Sequence, residues 1–462
     1  MSVEPEQSQA GPARGAPPSP EFVARDWLYS RLDVLITLAL FVAVNVATFY
    51  FQKPLTYNQG RGWDGWVYYS VAEQFKAEKW PIGEAPFVYR IGTPLVVAAF
   101  FGDSLLTGFK VINVCANLVT TLLFLCWLRL YLRDWRIRVL MTALFLLAWH
   151  GPVRFVYFYP ALCDNGLFVF LMAGLLSIQK LRAAPGIGGF FTLAVITLAG
   201  VIVREVMMII PLAALFVSNP LVLSRPTDTS WLFAQAERAW RRFPWWALVP
   251  LAAALLGMFC VRWVVTPHPS IAYDFFGMAL WWLYNKSLML YAQAWFVTFG
   301  PIIVAPIYFW RESWQFLARN QFQLVFLVGV AAAAWIGGTD TERFLFWSVP
   351  VVFLLVGKAL ENHAILSRVG LFPLVLLGTQ LISQRAFWVI PDHTWSAVSP
   401  LPWLTFPTNT FRYLDLYSQH GIHNVQRIIL LEYVILSMIL LVWLNSWQSR
   451  RIGRGGTVRL GS

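Results

Sequence analysis

Residues 32–51, LDVLITLALFVAVNVATFYF, form an almost uninterrupted apolar run. A helix of that length reaches about 30 Å, the thickness of a bilayer's hydrocarbon core. The run therefore reads as a membrane span. Residues 1–31 before it contain Pro, Gly, Ser and Glu and no apolar core. They read as a disordered cytoplasmic tail, not a signal peptide. Charged sequence without a small-residue cleavage site follows the run, so it reads as an uncleaved anchor.

Apolar runs of this kind recur along the chain. They predict spans near 32–51, 104–128, 138–152, 162–180, 187–203, 205–217, 244–265, 287–309, 321–338, 344–360, 366–384 and 428–446. The expected fold is an all-α polytopic transmembrane helical bundle of about 12 spans over residues 32–447, followed by a basic cytoplasmic tail at 448–462. The composition agrees: 58% hydrophobic and 13% charged residues, against about 25% charged in a soluble domain. The formal charge of +12 does not indicate nucleic acid, because the basic residues flank the ends of apolar runs. There positive-inside topology and anionic headgroups account for them.

Basic clusters fix the expected orientation. Arg25 and Arg31, Arg129 to Arg138, Lys180 and Arg182, Arg238 to Arg242, Arg311 and Arg319, and Arg450 to Arg459 alternate with loops poorer in cations. Both termini are then cytoplasmic. The opposite, outer side receives long loops at about 52–103 and 385–427 and short ones near 153–161, 266–286 and 339–343. Cys115, Cys126, Cys163 and Cys260 lie in or beside apolar stretches without metal spacing and read as small buried residues.

The polar residues that need a reason lie on the outer side. The first loop contains Trp63-Asp64-Gly65-Trp66, then Tyr68-Tyr69. Trp66, Tyr69, Ala72 and Phe75 recur every three residues, as in a juxtamembrane amphipathic helix with its aromatic side toward lipid. Asp64 suits either a helix N-cap or a rigidly held catalytic carboxylate. Arg90, in Val88-Tyr89-Arg90-Ile91, enters an apolar segment, where it either snorkels to headgroups or meets an anion. Asp164 stands at the mouth of a span. Arg204-Glu205 splits an apolar stretch, a costly place for two charges facing lipid. Asp340, Glu342 and Arg343 crowd a short hairpin, which also suits an ordinary polar turn. Lys286 reads as an interfacial anchor, and His150 and His268 have no partners in sequence.

No P-loop, Gly-x-Ser-x-Gly elbow, His-Glu-x-x-His or Cys pair is present. The polar set consists of carboxylates and arginines on one face. It suits chemistry on a hydroxyl, which needs a base, and on a phosphate, which needs cations. A secondary transporter or lipid flippase is the alternative, since charges at broken helices line pathways there. A membrane scaffold without chemistry is a third reading, which Arg204-Glu205 argues against.

In Trp63-Asp64-Gly65, Tyr68-Tyr69, Tyr89-Arg90 with Pro94, Arg204-Glu205 and Glu342-Arg343-Phe344-Leu345, the chain resembles the GT-C superfamily of polytopic membrane glycosyltransferases. The Trp-Asp run and the Arg-Glu break in particular resemble the branch with the GPI-anchor second mannosyltransferase and its bacterial relatives. The resemblance implies inverting sugar transfer from a polyprenyl-phosphate carrier to an acceptor hydroxyl on a lipid or glycan. Asp64 would be the catalytic base and Asp164 a second carboxylate shaping the site. Arg90, Arg204 and Arg343 would hold the donor phosphate, with Glu205 and Glu342 pairing arginines. Trp63, Tyr68 and Tyr69 would offer faces for the sugar. No cofactor and no obligatory metal are expected, although Asp340 and Glu342 are spaced closely enough to share a divalent ion. The expected partners are the donor, the acceptor and membrane lipids, with no nucleic acid. The expected place is a bacterial inner membrane, with the active site periplasmic.

Overall fold

The structure, a computed structural model, describes residues 20–148, 151–221, 237, 241, 243–268, 274–338, 340–363, 371–386, 390 and 425–452. Most of the two tails, most of the 385–427 loop, His150 and the start of the 366–384 run lie outside the described residues.

The described chain is nearly all helix. The first half contains α1 (Pro20–Phe51), α2 (Asp64–Lys76), α3 (Gly92–Phe101), α4 (Leu105–Arg129), α5 (Trp135–Leu147), α6 (Pro152–Phe158), α7 (Asp164–Ala183), α8 (Ile187–Val203) and α9 (Ile209–Ala214). The second contains α10 (Leu248–Val264), α11 (Phe275–Asn285), α12 (Leu288–Phe299), α13 (Val304–Tyr308), α14 (Trp310–Arg319), α15 (Gln321–Ile336), α16 (Thr341–Phe346), α17 (Val349–Asn362), α18 (Leu371–Ser383) and α19 (Val425–Ile452).

Five helical stretches among the described residues are long and apolar enough to cross a membrane: Arg31–Phe51, Leu105–Arg129, Trp135–Phe158, Asp164–Ala183 and Trp245–Val264. Two bent pairs raise the number to seven. Tyr291–Phe299 meets Pro301–Tyr308 at 106°, and Trp310–Arg319 meets Gln321–Ile336 at 110°. The sequence count of about 12 treats each apolar run as a full crossing. Two runs fold as shorter helices: Ile187–Val203 and Glu205–Ala214. At 1.5 Å per residue, ten residues reach only about 15 Å, half a hydrocarbon core. The expected outer loop at 52–103 is itself largely helical, with α2 and α3 inside it. All four cysteines are unpaired; Cys163 is buried, but Cys115, Cys126 and Cys260 are exposed rather than buried as expected.

The two ends of the bundle are fastened differently. At one end Asp33, fully buried on α1, takes Arg129 from α4 and Arg138 from α5, the latter at 2.9 Å. At the other, Asn113 near the start of α4 donates to the carbonyls of Pro160 (2.7 Å) and Leu162 (2.9 Å). This second end also joins two stretches that sequence places on one side. Ile82–Gly83 (β1) pairs in parallel with Thr266–Pro267 (β2).

A ring cluster supports this end from below. Phe346, the last residue of α16, stacks on Phe145 at 5.9 Å and on Phe299 at 6.5 Å between centroids. All three rings are fully buried. The short helix that carries Arg343 is thereby rooted in the apolar core.

Candidate active site

Helix termini bring the charges together. Asp64 is the first residue of α2, Asp164 the first of α7, Arg204 follows the last residue of α8, and Arg343 lies in the first turn of α16. Carboxylates at helix starts are favoured by the macrodipole. The N-cap of α2 is Trp63, whose side chain makes no capping bond. Asp64 is therefore not the N-cap, and its side chain remains available for other partners.

The central group is the Arg343 guanidinium. Its Nη2 lies 2.5 Å from Asp340 and 3.4 Å from Asp64, and its Nε lies 3.7 Å from Asp164. Arg204 reaches the other Asp164 oxygen through a short charged hydrogen bond. The Arg204 guanidinium also covers the faces of Trp347 (4.8 Å) and Phe344 (5.4 Å). Such cation–π contacts keep a buried cation tolerable where water is absent. Asp64 holds its partner at the longest hydrogen-bond distance in the group, and its side chain is 18% exposed.

Arg90 forms a second, saturated unit. Its Nε and Nη2 donate to both oxygens of Glu205, at 3.0 and 2.6 Å, and its Nη1 donates to the Tyr68 hydroxyl at 2.6 Å. This is a bidentate fork with a third bond. Burial works against the Arg90 charge, but Glu205 and Tyr68 outweigh it and hold the guanidinium well above its ordinary pKa. Burial pushes the Tyr68 phenol up as well, so it stays protonated. Arg204 and Glu205, adjacent in sequence, take different partners because Arg204 is extended (φ −163°, ψ 135°) between α8 and the following 3₁₀ turn.

Arg204 Nε, Arg343 Nε, Asp164 Oδ2 and Trp347 Nε1 are among the buried polar atoms that lack a hydrogen-bond partner among the described residues. An unmet buried donor costs about 1–3 kcal/mol. Arg343 Nε faces Asp164 Oδ2 at 3.7 Å, so Arg204 Nε is the donor that marks where an anion would be held.

The structure relocates several residues that sequence reading assigned to the sugar. Tyr68 offers no face, because it is fully buried under Arg90. Tyr69 carries the Arg61 guanidinium over its ring at 4.0 Å. Trp63 packs against Tyr57 (5.5 Å) and edge-on to Tyr159 (5.8 Å). The packed face of α2 is Gly65, Val67, Tyr68, Val71 and Ala72, while Trp66 stays exposed. Glu342 is fully buried on α16; its carbonyl accepts from Thr298 at 3.2 Å, and its charge acts on Lys286.

One residue was given no role by the sequence and another takes a different one. Tyr159 fills the space beside the glycines that flank Asp64. A Cβ on Gly62, at φ +71°, would lie 2.2 Å from the Tyr159 ring, and one on Gly65 would lie 2.6 Å from it. The Gly65 N–H donates to the Tyr159 hydroxyl at 2.6 Å. These glycines make room for a protein ring. The other residue is Lys286, which is 4% exposed and so is no surface anchor. Its ammonium donates to Ala334 O, Gly338 O and Thr341 Oγ1, each at 2.8 Å. A signal for it was present in the sequence: a single cation ending an aromatic run, just ahead of a long apolar stretch.

Among the described residues, no three His, Cys, Asp or Glu side chains gather as a metal-binding group. The cation shared by Asp64, Asp164 and Asp340 is Arg343. A cavity of about 240 Å³ lies elsewhere, between Phe309, Glu312, Phe316 and Arg319 on one side and Leu355, Lys358 and Asn362 on the other. It sits at the far end of α17 from the charged cluster and shares no residue with it. No known family model matches the chain, and no curated protein matches it.

Proposed function

We propose that the protein is a membrane glycosyltransferase of GT-C type, moving a sugar from a polyprenyl-phosphate carrier to an acceptor hydroxyl with inversion. Asp64 takes the proton of the attacking hydroxyl. The hydroxyl oxygen bonds to the anomeric carbon as the bond to the phosphate oxygen breaks, and the lipid phosphate leaves with its negative charge. Arg204 receives that charge through its open Nε–H, and the Arg343 guanidinium, held beside Asp164, adds positive charge next to it. Asp164 sits between the two guanidiniums and sets their spacing. Arg90, saturated by Glu205 and Tyr68, positions the α8 break and does not bind donor. The proposed setting is a bacterial inner membrane with this end of the bundle on the periplasmic side, in the 12-span arrangement that the sequence suggests.

One observation carries the reading. A loosely held carboxylate, Asp64, and a buried arginine with an unmet donor, Arg204, meet around the Arg343 guanidinium at one end of the bundle. A base and an oxyanion site side by side are what a hydroxyl attack with a phosphate leaving group requires. The topology read from the sequence puts these charges at outer span ends, which favours this over a transporter. A transport pathway places them near the midplane, at helices broken in corresponding halves.

Donor binding is the test. Arg204→Ala should weaken binding of a radiolabelled polyprenyl-phosphate sugar by about tenfold or more, the effect of losing a charged hydrogen bond of about 1.5–3 kcal/mol. Wild-type donor affinity in a folded Arg204→Ala protein would remove Arg204 from the site. Accumulation of intact donor across the membrane, without sugar release, would favour the flippase.

A further inference from the structure

Lys286 takes no part in the proposed chemistry, yet it is buried and fully engaged. It follows α11 and precedes α12, and its ammonium reaches across to a different hairpin. Ala334 is in the last turn of α15, where free carbonyls and the helix dipole favour a cation. Gly338 lies in the turn, and Thr341 is the first residue of α16 and fully buried. One nitrogen thus holds the end of one helix, the turn and the start of the next. The Trp282 ring covers it at 5.0 Å. Two residues beyond Thr341 stands Arg343, the group that touches Asp64, Asp164 and Asp340.

We propose that Lys286 is the positioning residue for Arg343, clamping the α15–α16 hairpin so that the guanidinium stays between Asp64 and Asp164. The inference rests on the glycosyltransferase reading for its consequence, but the clamp is testable without it. Arg343 sits at 3.4 and 3.7 Å from those two carboxylates, so a displacement of about one ångström changes which of them it binds. A misplacement of that size typically costs about 10²-fold in rate. The carboxylates acting on Lys286 are Glu342 and Asp340, both from the clamped hairpin. Burial pulls the ammonium down to about 8 against their opposing pull. Above that pH the amine is neutral and keeps two of its three donors.

The experiment uses the full chain in lipid nanodiscs, with Lys286→Met and Lys286→Arg. In Lys286→Met, amide hydrogen exchange over residues 340–346 should rise at least tenfold while exchange over residues 248–264 stays at its wild-type rate, which shows the fold intact. With the radiolabelled donor, kcat should fall about 10²-fold with a smaller change in donor KM. Wild-type turnover should decline as pH rises through about 8. That limb should vanish in Lys286→Arg, whose charge persists, while some turnover is rescued. Wild-type exchange at residues 340–346 in Lys286→Met overturns the proposal, as does a raised KM at constant kcat. If the wild type transfers no sugar but the hairpin still loosens in Lys286→Met, the clamp stands and the enzymatic reading falls.

Discussion

At the scale of single residues, the site depends on a few groups whose partners lie far away in sequence. The charges at Asp64, Arg90, Asp164, Arg204 and Arg343 were legible because each interrupts apolar sequence, where an unpaired charge is costly. Their pairing was not legible. Nothing in Arg204-Glu205 reveals that an extended backbone sends one side chain to Asp164 and the other to Arg90. Nor does Gly62-Trp63-Asp64-Gly65 reveal that Tyr159 supplies the ring filling the space beside it. This contact gives a direct prediction. Gly65→Ala places a methyl within 2.6 Å of the Tyr159 ring and 2.8 Å from the Ala161 Cβ. Overpacking of that kind costs about 1–3 kcal/mol. Thermal unfolding should shift down by several degrees and turnover should fall with it, since the first turn of α2 carries Asp64. An unchanged melting temperature would mean that Tyr159 and the α2 start are not packed as described.

At the scale of elements, long apolar helices were the most legible feature and short ones the least. The runs at 32–51, 104–128, 162–180 and 244–265 each coincide with a helix long enough to cross. Those at 287–309 and 321–338 do not, because both lie on bent pairs. Pro301, which lacks a backbone N–H, follows the first bend, and hydropathy averages over such a break without registering it. The ion pairs between helices were also invisible. Asp33 lies inside the very run that marks the first span, yet it staples α1 to α4 and α5 through Arg129 and Arg138. Removing one partner of a buried pair leaves uncompensated charge and typically costs about 3–5 kcal/mol. Asp33→Ala should therefore lower the melting temperature markedly, with the remaining folded protein still binding donor. A variant as stable as the wild type would show that the staple contributes nothing.

At the scale of the whole molecule, two ends with different work emerge. One holds Asp33, Arg129 and Arg138; the other gathers Asp64, Asp164, Arg204 and Arg343. If these ends face opposite sides of a membrane, single cysteines in a background without the native four should label accordingly. Glu78→Cys, exposed after α2, should react with an impermeant maleimide in intact cells. Arg136→Cys, exposed on α5, should react only after the membrane is opened. Labelling of both from one side would refute the orientation drawn from the basic clusters. The catalytic claim itself is tested most directly at Asp64. Asp64→Asn keeps the shape of the side chain and removes the base, and loss of a general base typically slows a reaction about 10²–10⁴-fold. Sugar transfer from a radiolabelled polyprenyl-phosphate donor should fall by that much in Asp64→Asn, with donor binding and melting temperature close to wild type. Wild-type turnover in a folded Asp64→Asn protein would contradict the account.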